Sequence, residues 1–432
     1  MMDKKTGKPT PAEPEPEVSI YESLIATRPK EPPTRRAFLT GATSLFGAAA
    51  VHVLLAPFLG HAANASGDPT RVPGALATEY GRRSPFERAK RLTKPQRSRT
   101  PLQDLHGIVT PSALHFERHH NGVPLIDPAK HRLLVHGLVE RPLLFTIAEL
   151  KRFPSTSRLL FVECSGNSGK EWKGPKGKTA QEIHGLTSTS EWTGVRLSTV
   201  LSEAGLTPGA TWMLAEGSDA AAMTRSLPLN RVLDEALLCY AQNGEPLRPE
   251  QGYPLRLLVP GFEGNTCIKW LRRLKLVSSP VMTREETSKY TDLMPDGTAR
   301  QFTFDMEAKS VITAPSGGQR LKKTGYVEIR GLAWSGRGRV EKVEVSVDGG
   351  KNWRTARLQA PILPKCHTRF CLDWWWDGGE AVLQSRCIDE TGYRQPTRKE
   401  LVEIRGTNSY YHYNAIQSWQ IDEEGQVSNV QV

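Results

Sequence analysis

The most constraining stretch of this chain is Leu159-Leu160-Phe161-Val162-Glu163-Cys164-Ser165-Gly166-Asn167-Ser168. Its first half is an apolar run rich in Leu, Val and Phe, which predicts a buried strand. Its second half is a small, polar, Gly-containing loop that holds one cysteine with no other near it in sequence. A lone thiol at a strand end suits a one-thiolate metal ligand or a nucleophile. A buried free cysteine packing as a small hydrophobe fits the same pattern. The rest of the chain has to decide between them.

At 432 residues the chain has room for two or three domains, each with its own core. The net charge is +11, and residues 1–65 supply +1 of it (seven Lys/Arg, six Asp/Glu), leaving about +10 for the remainder. An excess of that size suits nucleic acid, an anionic substrate or an acidic protein partner. No basic block with interleaved aromatics is present, which argues against nucleic acid. The six cysteines (164, 239, 267, 366, 371, 387) contain no Cys-x-x-Cys pair, so zinc-ribbon and c-type haem spacings are absent. Cys366 with Cys371 or Cys387 is a possible disulfide in an oxidising compartment.

Residues 3–33 are rich in Pro, Lys and Glu, a composition that predicts disorder. Arg35-Arg36 then precedes an apolar, Ala-rich run from about Leu39 to Leu59, and His61-Ala62-Ala63-Asn64-Ala65 supplies an Ala-x-Ala site. Together these predict a twin-arginine export signal over 1–65, cleaved near Ala65, and a periplasmic protein. The apolar run is also just long enough to serve as an uncleaved membrane anchor.

Residues 66–100 read as a polar, extended lead-in to a first domain over 101–295. In His115-Phe116-Glu117-Arg118-His119-His120-Asn121-Gly122-Val123-Pro124, one arginine beside two histidines in a Gly/Pro-bounded loop suits an anion site, or a solvated polar loop. His131–Val139 alternates as a strand, and Phe145–Phe153 reads as a short helix begun at Thr146. With the Cys164 strand, this order predicts an α+β layer arrangement. Gly174–Glu191 reads as a long covering loop, followed by a helix over Ser198–Gly205 that Ser198 caps and Gly205 stops. From Tyr326 to Trp334 and Val340 to Val347 the pattern has period two, with Asp348-Gly349-Gly350 as a hairpin-type turn. Strands over Trp353–Leu358, Leu372–Trp376 and Ala381–Asp389 complete an immunoglobulin-like sandwich over 300–408. Residues 409–432 are a polar, Tyr-rich C-terminal tail.

Glu163-Cys164-Ser165-Gly166-Asn167 resembles the Cys-x-Gly-Asn motif of the sulfite oxidase family of molybdenum enzymes. Further motifs of that family follow in order over roughly 105–408: Arg118-His119-His120, Trp192-Thr193-Gly194-Val195, Glu216-Gly217-Ser218-Asp219, Ser226-Leu227-Pro228-Leu229, Gly252-Tyr253-Pro254-Leu255-Arg256 and Lys269-Trp270-Leu271. The resemblance implies a sulfite-oxidase-type molybdopterin domain followed by an immunoglobulin-like dimerisation domain. It implies one molybdenum bound by one pterin, with Cys164 the sole protein ligand, a role that suits soft thiolate. Arg118 would lie beside the metal and the substrate oxyanion, while His119, His120 and Asp219 contact the pterin. Arg256 and Lys269 would hold the cofactor phosphate by charge-assisted hydrogen bonds. Backbone groups near Cys267 and Ile268 would hold its pterin, and Gln251 stands where the family has a pterin-contacting histidine. Trp192 would pack against the cofactor or fill the core. Arg339 would reach toward the active site as a third catalytic residue beside Arg118 and Cys164, or lie on the surface as an ordinary arginine.

Two departures bear on substrate. Ser168-Gly169 and Met223 stand where sulfite oxidases carry arginines and a substrate-facing tyrosine. Their loss weakens the grip on a small dianion, and the pattern resembles the SoxC branch of the family. That resemblance implies oxygen-atom transfer to a sulfane sulfur on a SoxYZ-like carrier, with electrons passing to a SoxD-like c-type cytochrome because this chain has no haem site. It also implies a homodimer or heterotetramer. A sulfite:cytochrome c dehydrogenase acting on free sulfite is the enzyme alternative, and a cofactor-less assembly subunit the non-enzyme one.

Overall fold

The apolar run that ends at Cys164 is a strand, Ser155–Glu163, in a computed structural model that describes Thr70 and residues 73–432. The leader, twin-arginine pair and cleavage site read over 1–65 lie outside the described residues. The chain divides into Met1–Gly81 and Arg82–Val432, and every element below belongs to the second.

Two five-stranded sheets build the first domain. In one, Ser155–Glu163 pairs antiparallel with Thr187–Arg196, which pairs with Leu237–Gln242. The strand Arg256–Leu258 adds to Leu237–Gln242 in the register Cys239↔Arg256. In the other sheet the order is Leu143–Thr146, Arg132–Gly137, Leu271–Val277, Trp212–Gly217, Thr224–Pro228. Its Arg132–Gly137 and Leu271–Val277 run parallel and its other pairs antiparallel. Leu133, Val135, Leu160, Val162, Leu271 and Leu274 share one buried core with the helix Leu197–Ala204. Each such fully buried aliphatic side chain contributes roughly 1.5–3 kcal/mol.

The short helix begun at Thr146 is Ile147–Leu150, closed by a full capping box between Thr146 and Glu149. Three local expectations change. Ser198 does not cap its helix: Arg196 is the N-cap residue, without a side-chain cap, and Ser198 sits inside the first turn, although Gly205 does stop it with φ 68°. The stretch 174–191 is no loop cover. It contains the helix Ala180–His184 and the first half of a strand whose Thr187–Ser190 are buried, because its alternating Thr and Ser bond inward. Within the lead-in, Leu92–Lys94 and Arg97–Arg99 form a hairpin that pairs with Glu117–Arg118.

The second domain is a two-sheet sandwich. One sheet holds Lys309–Ala314, Gly325–Trp334, Thr368–Trp376 and Arg357–Gln359. The other holds Arg354–Thr355, Val340–Ser346, Ala381–Asp389, Ser418–Ile421 and Val427–Val430. Residues 409–432, read as a tail, supply those last two strands, with Leu383 facing Trp419 across the pair. Trp419 and Ile421 are buried apolar residues in an otherwise polar run, and their burial explains the docking. All six cysteines are free thiols. The expected disulfide of Cys366 with Cys371 or Cys387 is therefore not formed in this structure.

The domains meet directly behind the cysteine loop. Glu163 is buried and accepts hydrogen bonds from Lys309 Nζ (3.1 Å) and Trp334 Nε1 (2.6 Å). Lys309 and Trp334 face one another across the first two strands of the sandwich. Gly261 of the first domain (φ 79°) lies so close to Gly336 of the second that a Cβ on it would sit 2.2 Å from Gly336 O.

Candidate active site

One cavity gathers residues from six separate loops and strand ends. Arg118 ends the two-residue strand Glu117–Arg118, opposite Arg97. Cys164 follows the strand Ser155–Glu163, and Asp219 sits in the turn after Trp212–Gly217. Gln251 closes the one-turn helix Pro249–Gln251, and Arg256 opens the next strand. Cys267, Ile268 and Lys269 lie between the one-turn helix Gly264–Thr266 and the strand Leu271–Val277. Together with His119 and His120, all of these line the same cavity. Arg339 does not join them. Its side chain is 56% exposed and pairs with Glu390 at 3.1 Å, so the surface reading is the one the structure shows. Trp192 is fully buried in the core, where the Arg256 guanidinium lies 4.8 Å from its ring.

The cysteine loop is rigid for local reasons. Asn167 Nδ2 donates to Glu163 Oε1 and to His184 O, both at 2.9 Å, and Asn167 Oδ1 accepts from Leu186 N at 3.1 Å. Ser168 holds a left-handed φ of 63°, unusual for a residue with a Cβ. Its hydroxyl bridges Lys309 Nζ (2.9 Å) and His184 Nδ1 (2.8 Å). Burial pushes the Cys164 thiol up, while the nearby Arg118 and Arg99 charges oppose that shift. Among the described residues no cluster of three or more His, Cys, Asp or Glu could hold a metal. A metal held at Cys164 would take further donors from the pterin group that the resemblance implies.

The cavity wall is cationic. Arg256 is 4% exposed, and its Nη1 donates to Gln251 O (3.1 Å) and Gln251 Oε1 (3.3 Å). Its Nε is buried without a partner. Lys269 Nζ donates to the carbonyls of Arg118 and Glu250, both at 2.9 Å. Desolvation, helped by the Arg256 charge, brings its pKa down to about 7. Neither cation has a carboxylate within ion-pair distance among the described residues. Two cations without an ion-pair partner, one with an orphaned donor, are the environment that a phosphate-bearing cofactor would satisfy. Asp219 takes Met223 N on Oδ1 (3.1 Å) and retains acceptor capacity for pterin N–H groups. The N–H groups of Cys267 and Ile268 donate within the chain, to Gly264 O and Thr266 O. What they offer a pterin is carbonyl oxygen. Gln251 Nε2 donates to Phe116 O at 2.8 Å, which aims its carbonyl at Arg256. His119 is held by Glu117 (3.1 Å) and Gly122 N (3.1 Å). The residues present fit a molybdenum-pterin group.

Three aromatic residues escaped the sequence reading. Tyr290 lines the cavity, and its hydroxyl lies 2.9 Å from His120 Nε2. Tyr410 and Tyr411 arrive from the supposed tail and, with Tyr290, Arg97 and Lys289, surround the approach to Cys164. The segment is pinned by His412, whose N–H donates to Ser165 O (2.8 Å) and whose Nε2 meets Glu263 Oε1 (2.8 Å). Burial alone would keep Glu263 protonated; His412 and Arg225 outweigh it and hold the carboxyl at about 2. A Cβ at Gly169 would sit 2.4 Å from Tyr410 O, so no arginine fits there. The phenol and cations missing from their usual sequence places are thus present from other segments. Only the Tyr-rich run Tyr410-Tyr411-His412-Tyr413 signalled this in the sequence.

Comparison with known proteins agrees with this geometry. Residues 120–285 match the oxidoreductase molybdopterin binding domain and residues 300–419 the Mo-co oxidoreductase dimerisation domain. Mitochondrial sulfite oxidase of Mus musculus is 35% identical over 272 residues, 59% of this chain and 50% of that protein. Sulfite oxidase of Gallus gallus is 32% identical over 321 residues, 69% of this chain and 67% of that protein. The chain spans about half the length of the mammalian sulfite oxidases it matches. A solved structure, the sulfane dehydrogenase SoxCD from Paracoccus pantotrophus, superposes with a TM-score of 0.78 at 46% identity, covering 85% of this chain and all of that one. With Arg118, Cys164, Asp219, Arg256 and Lys269 gathered in one cavity and both domain models matched in order, the chain belongs to the sulfite oxidase family of molybdopterin enzymes.

Proposed function

We propose that this chain is a molybdenum oxidoreductase that oxidises sulfur, the SoxC-type subunit of a sulfane dehydrogenase acting on carrier-bound sulfur. The observation that carries the reading is the cavity in which Cys164, Arg118 and Asp219 meet the unpaired cations Arg256 and Lys269. Likeness to a sulfane dehydrogenase chain at 46% identity supports the branch. Arg256 and Lys269 would hold the cofactor phosphate, Asp219, His119, His120 and Gln251 its pterin, and Cys164 the metal. A molybdenum bound there supplies two-electron oxygen-atom transfer to sulfur.

The chain's own residues do the rest. Arg118 lies at the cavity wall near Cys164 and stabilises an oxyanion developing there. Burial lowers the pKa of His120 and raises that of Tyr290, so the phenol stays protonated and shares a 2.9 Å hydrogen bond with His120 Nε2. Tyr290 and Tyr411, with ring centroids 5.2 Å apart, exclude water from the approach. Electrons leave to a c-type cytochrome of the SoxD kind in this reading, and the partner assembly is a homodimer or heterotetramer. Export to the periplasm by the twin-arginine route rests on Arg35-Arg36, the apolar run and the Ala-x-Ala site.

A second reading has its own observation. Tyr290, Arg97 and Lys289 restore a phenol and cations beside Cys164, which favours free sulfite as substrate. Sulfite-dependent reduction of ferricytochrome c by the molybdenum-loaded chain separates the two. No turnover, with molybdenum present, is the result expected for a carrier-dependent enzyme; rapid turnover overturns that reading in favour of a sulfite dehydrogenase. A chain that takes up no molybdenum is the cofactor-less subunit.

A further inference from the structure

Beside the reaction cavity lies a second cavity whose cations outnumber its acids six to two and have no ion-pair partner among the described residues. Lys94, Arg97, Arg99, Lys170, Lys176 and Lys178 line it. No ion pair joins any of these six to a carboxylate among the described residues. Its two acids are already committed. Glu171 accepts from Lys176 N, Gly177 N and Asn429 Nδ2, and Glu182 accepts from Lys178 N. Neither forms an ion pair with a lining lysine, and their two negative charges leave the lining, with its six cations, at a net +4.

The position of this cavity gives it a role. Arg97, Gly166 and Tyr410 line both it and the approach to Cys164. Tyr410, 49% exposed, stands between the two spaces. Arg99 forms the buried end of the groove, with Nη1 on Ile183 O at 3.2 Å, while Lys94, Lys170, Lys176 and Lys178 are exposed along its rims. Six positive side chains mutually repel, and nothing in the fold requires them to gather here. Against the net excess of four charges (six cations less Glu171 and Glu182), one small dianion would leave two unbalanced. A chain carrying several carboxylates matches their number and their spread from rim to floor.

We propose that this groove binds an acidic polypeptide segment of a partner protein and so holds that partner beside the Cys164 cavity. The proposal rests on the reading that Cys164 marks the reaction centre. Aspartate and glutamate side chains of the segment meet the lysines at the rim, and Arg97 and Arg99 meet its innermost charge. The interaction is electrostatic and weakens as salt rises through the range where the screening length falls below about 10 Å.

The test is binding of a fluorescently labelled oligoglutamate peptide to the purified full chain at low salt, with molybdenum content measured on the same sample. The expected result is saturable binding that falls at least about tenfold in the K170E/K176E/K178E variant. The milder K170Q/K176Q/K178Q variant gives an intermediate loss, and both retain the wild-type molybdenum content and thermal unfolding profile. Equal affinity for wild type and variants overturns the proposal. So does displacement by sulfate at matched ionic strength, which would make the groove an inorganic-anion site. Loss of molybdenum with peptide binding intact would instead count against the enzyme reading alone.

Discussion

Arg256 stacks on Trp192, gives its Nη1 to Gln251 and keeps its Nε buried without a partner. A side chain in that state is built to receive an anion. R256M keeps the stem and removes the charge-assisted bonds, so cofactor retention falls by about tenfold or more, read as molybdenum per chain after dialysis. Lys269 adds a pH dependence. Its pKa is about 7 against an ordinary 10.5. In the cofactor-free chain the unfolded state binds the extra proton between those values, so stability rises with pH across that window and the gain is absent below pH 7. A phosphate favours the protonated form, so retention is stronger at pH 6 than at pH 8, by up to about tenfold, and K269R flattens the difference. At this scale the sequence was most legible where charge and motif coincide: Cys164, Arg118, Asp219, Arg256 and Lys269 all reach the cavity. Arg339 did not, because Glu390, distant in sequence, holds it at the surface. Tyr290 was illegible because only the fold brings it to Cys164, and Tyr410 showed itself only as part of a Tyr-rich run.

Strands declared themselves through period two and apolar runs, and most of the sandwich follows from that pattern. The misread elements had mixed signals. The strand Thr187–Arg196 begins with Thr and Ser whose hydroxyls bond inward, among them Thr187 Oγ1 to Val162 O and Ser188 Oγ to Thr100 Oγ1, so polarity there meant a buried network and not a loop. The final two strands were hidden in a polar run in which only Trp419, Ile421 and Val427 are apolar and buried. Glycine at the domain contact has a sharper meaning. At Gly261 a Cβ would adopt φ 79° and strike Gly336 O at 2.2 Å. G261A therefore destabilises the chain by about 2 kcal/mol or more, measured by denaturant unfolding, whereas alanine at the exposed, uncrowded Gly81 changes little.

The two domains behave as one molecule because the pair that joins them also braces the cysteine loop. Lys309 from the sandwich neutralises Glu163, the residue before Cys164, and both are almost fully buried. Removing one partner leaves a buried charge uncompensated. K309M alone is expected to cost about 3–5 kcal/mol, while E163Q/K309M together cost clearly less than the sum of the singles. A strictly additive double mutant would show that the pair does not couple the domains. No sequence pattern pointed to this contact, since the two residues are far apart and Lys309 lies in no recognised motif. In the proposed function this cavity binds molybdenum through Cys164 and holds its cofactor by Arg256 and Lys269. Molybdenum per chain, determined by mass spectrometry of the metal for wild type, C164S and R256M expressed side by side, is the direct test. The expected result is about one molybdenum per wild-type chain and a clear loss in both variants, with folding intact by circular dichroism. A wild-type chain that stays metal-free under conditions that load other molybdopterin enzymes, or variants that keep full molybdenum, would contradict it.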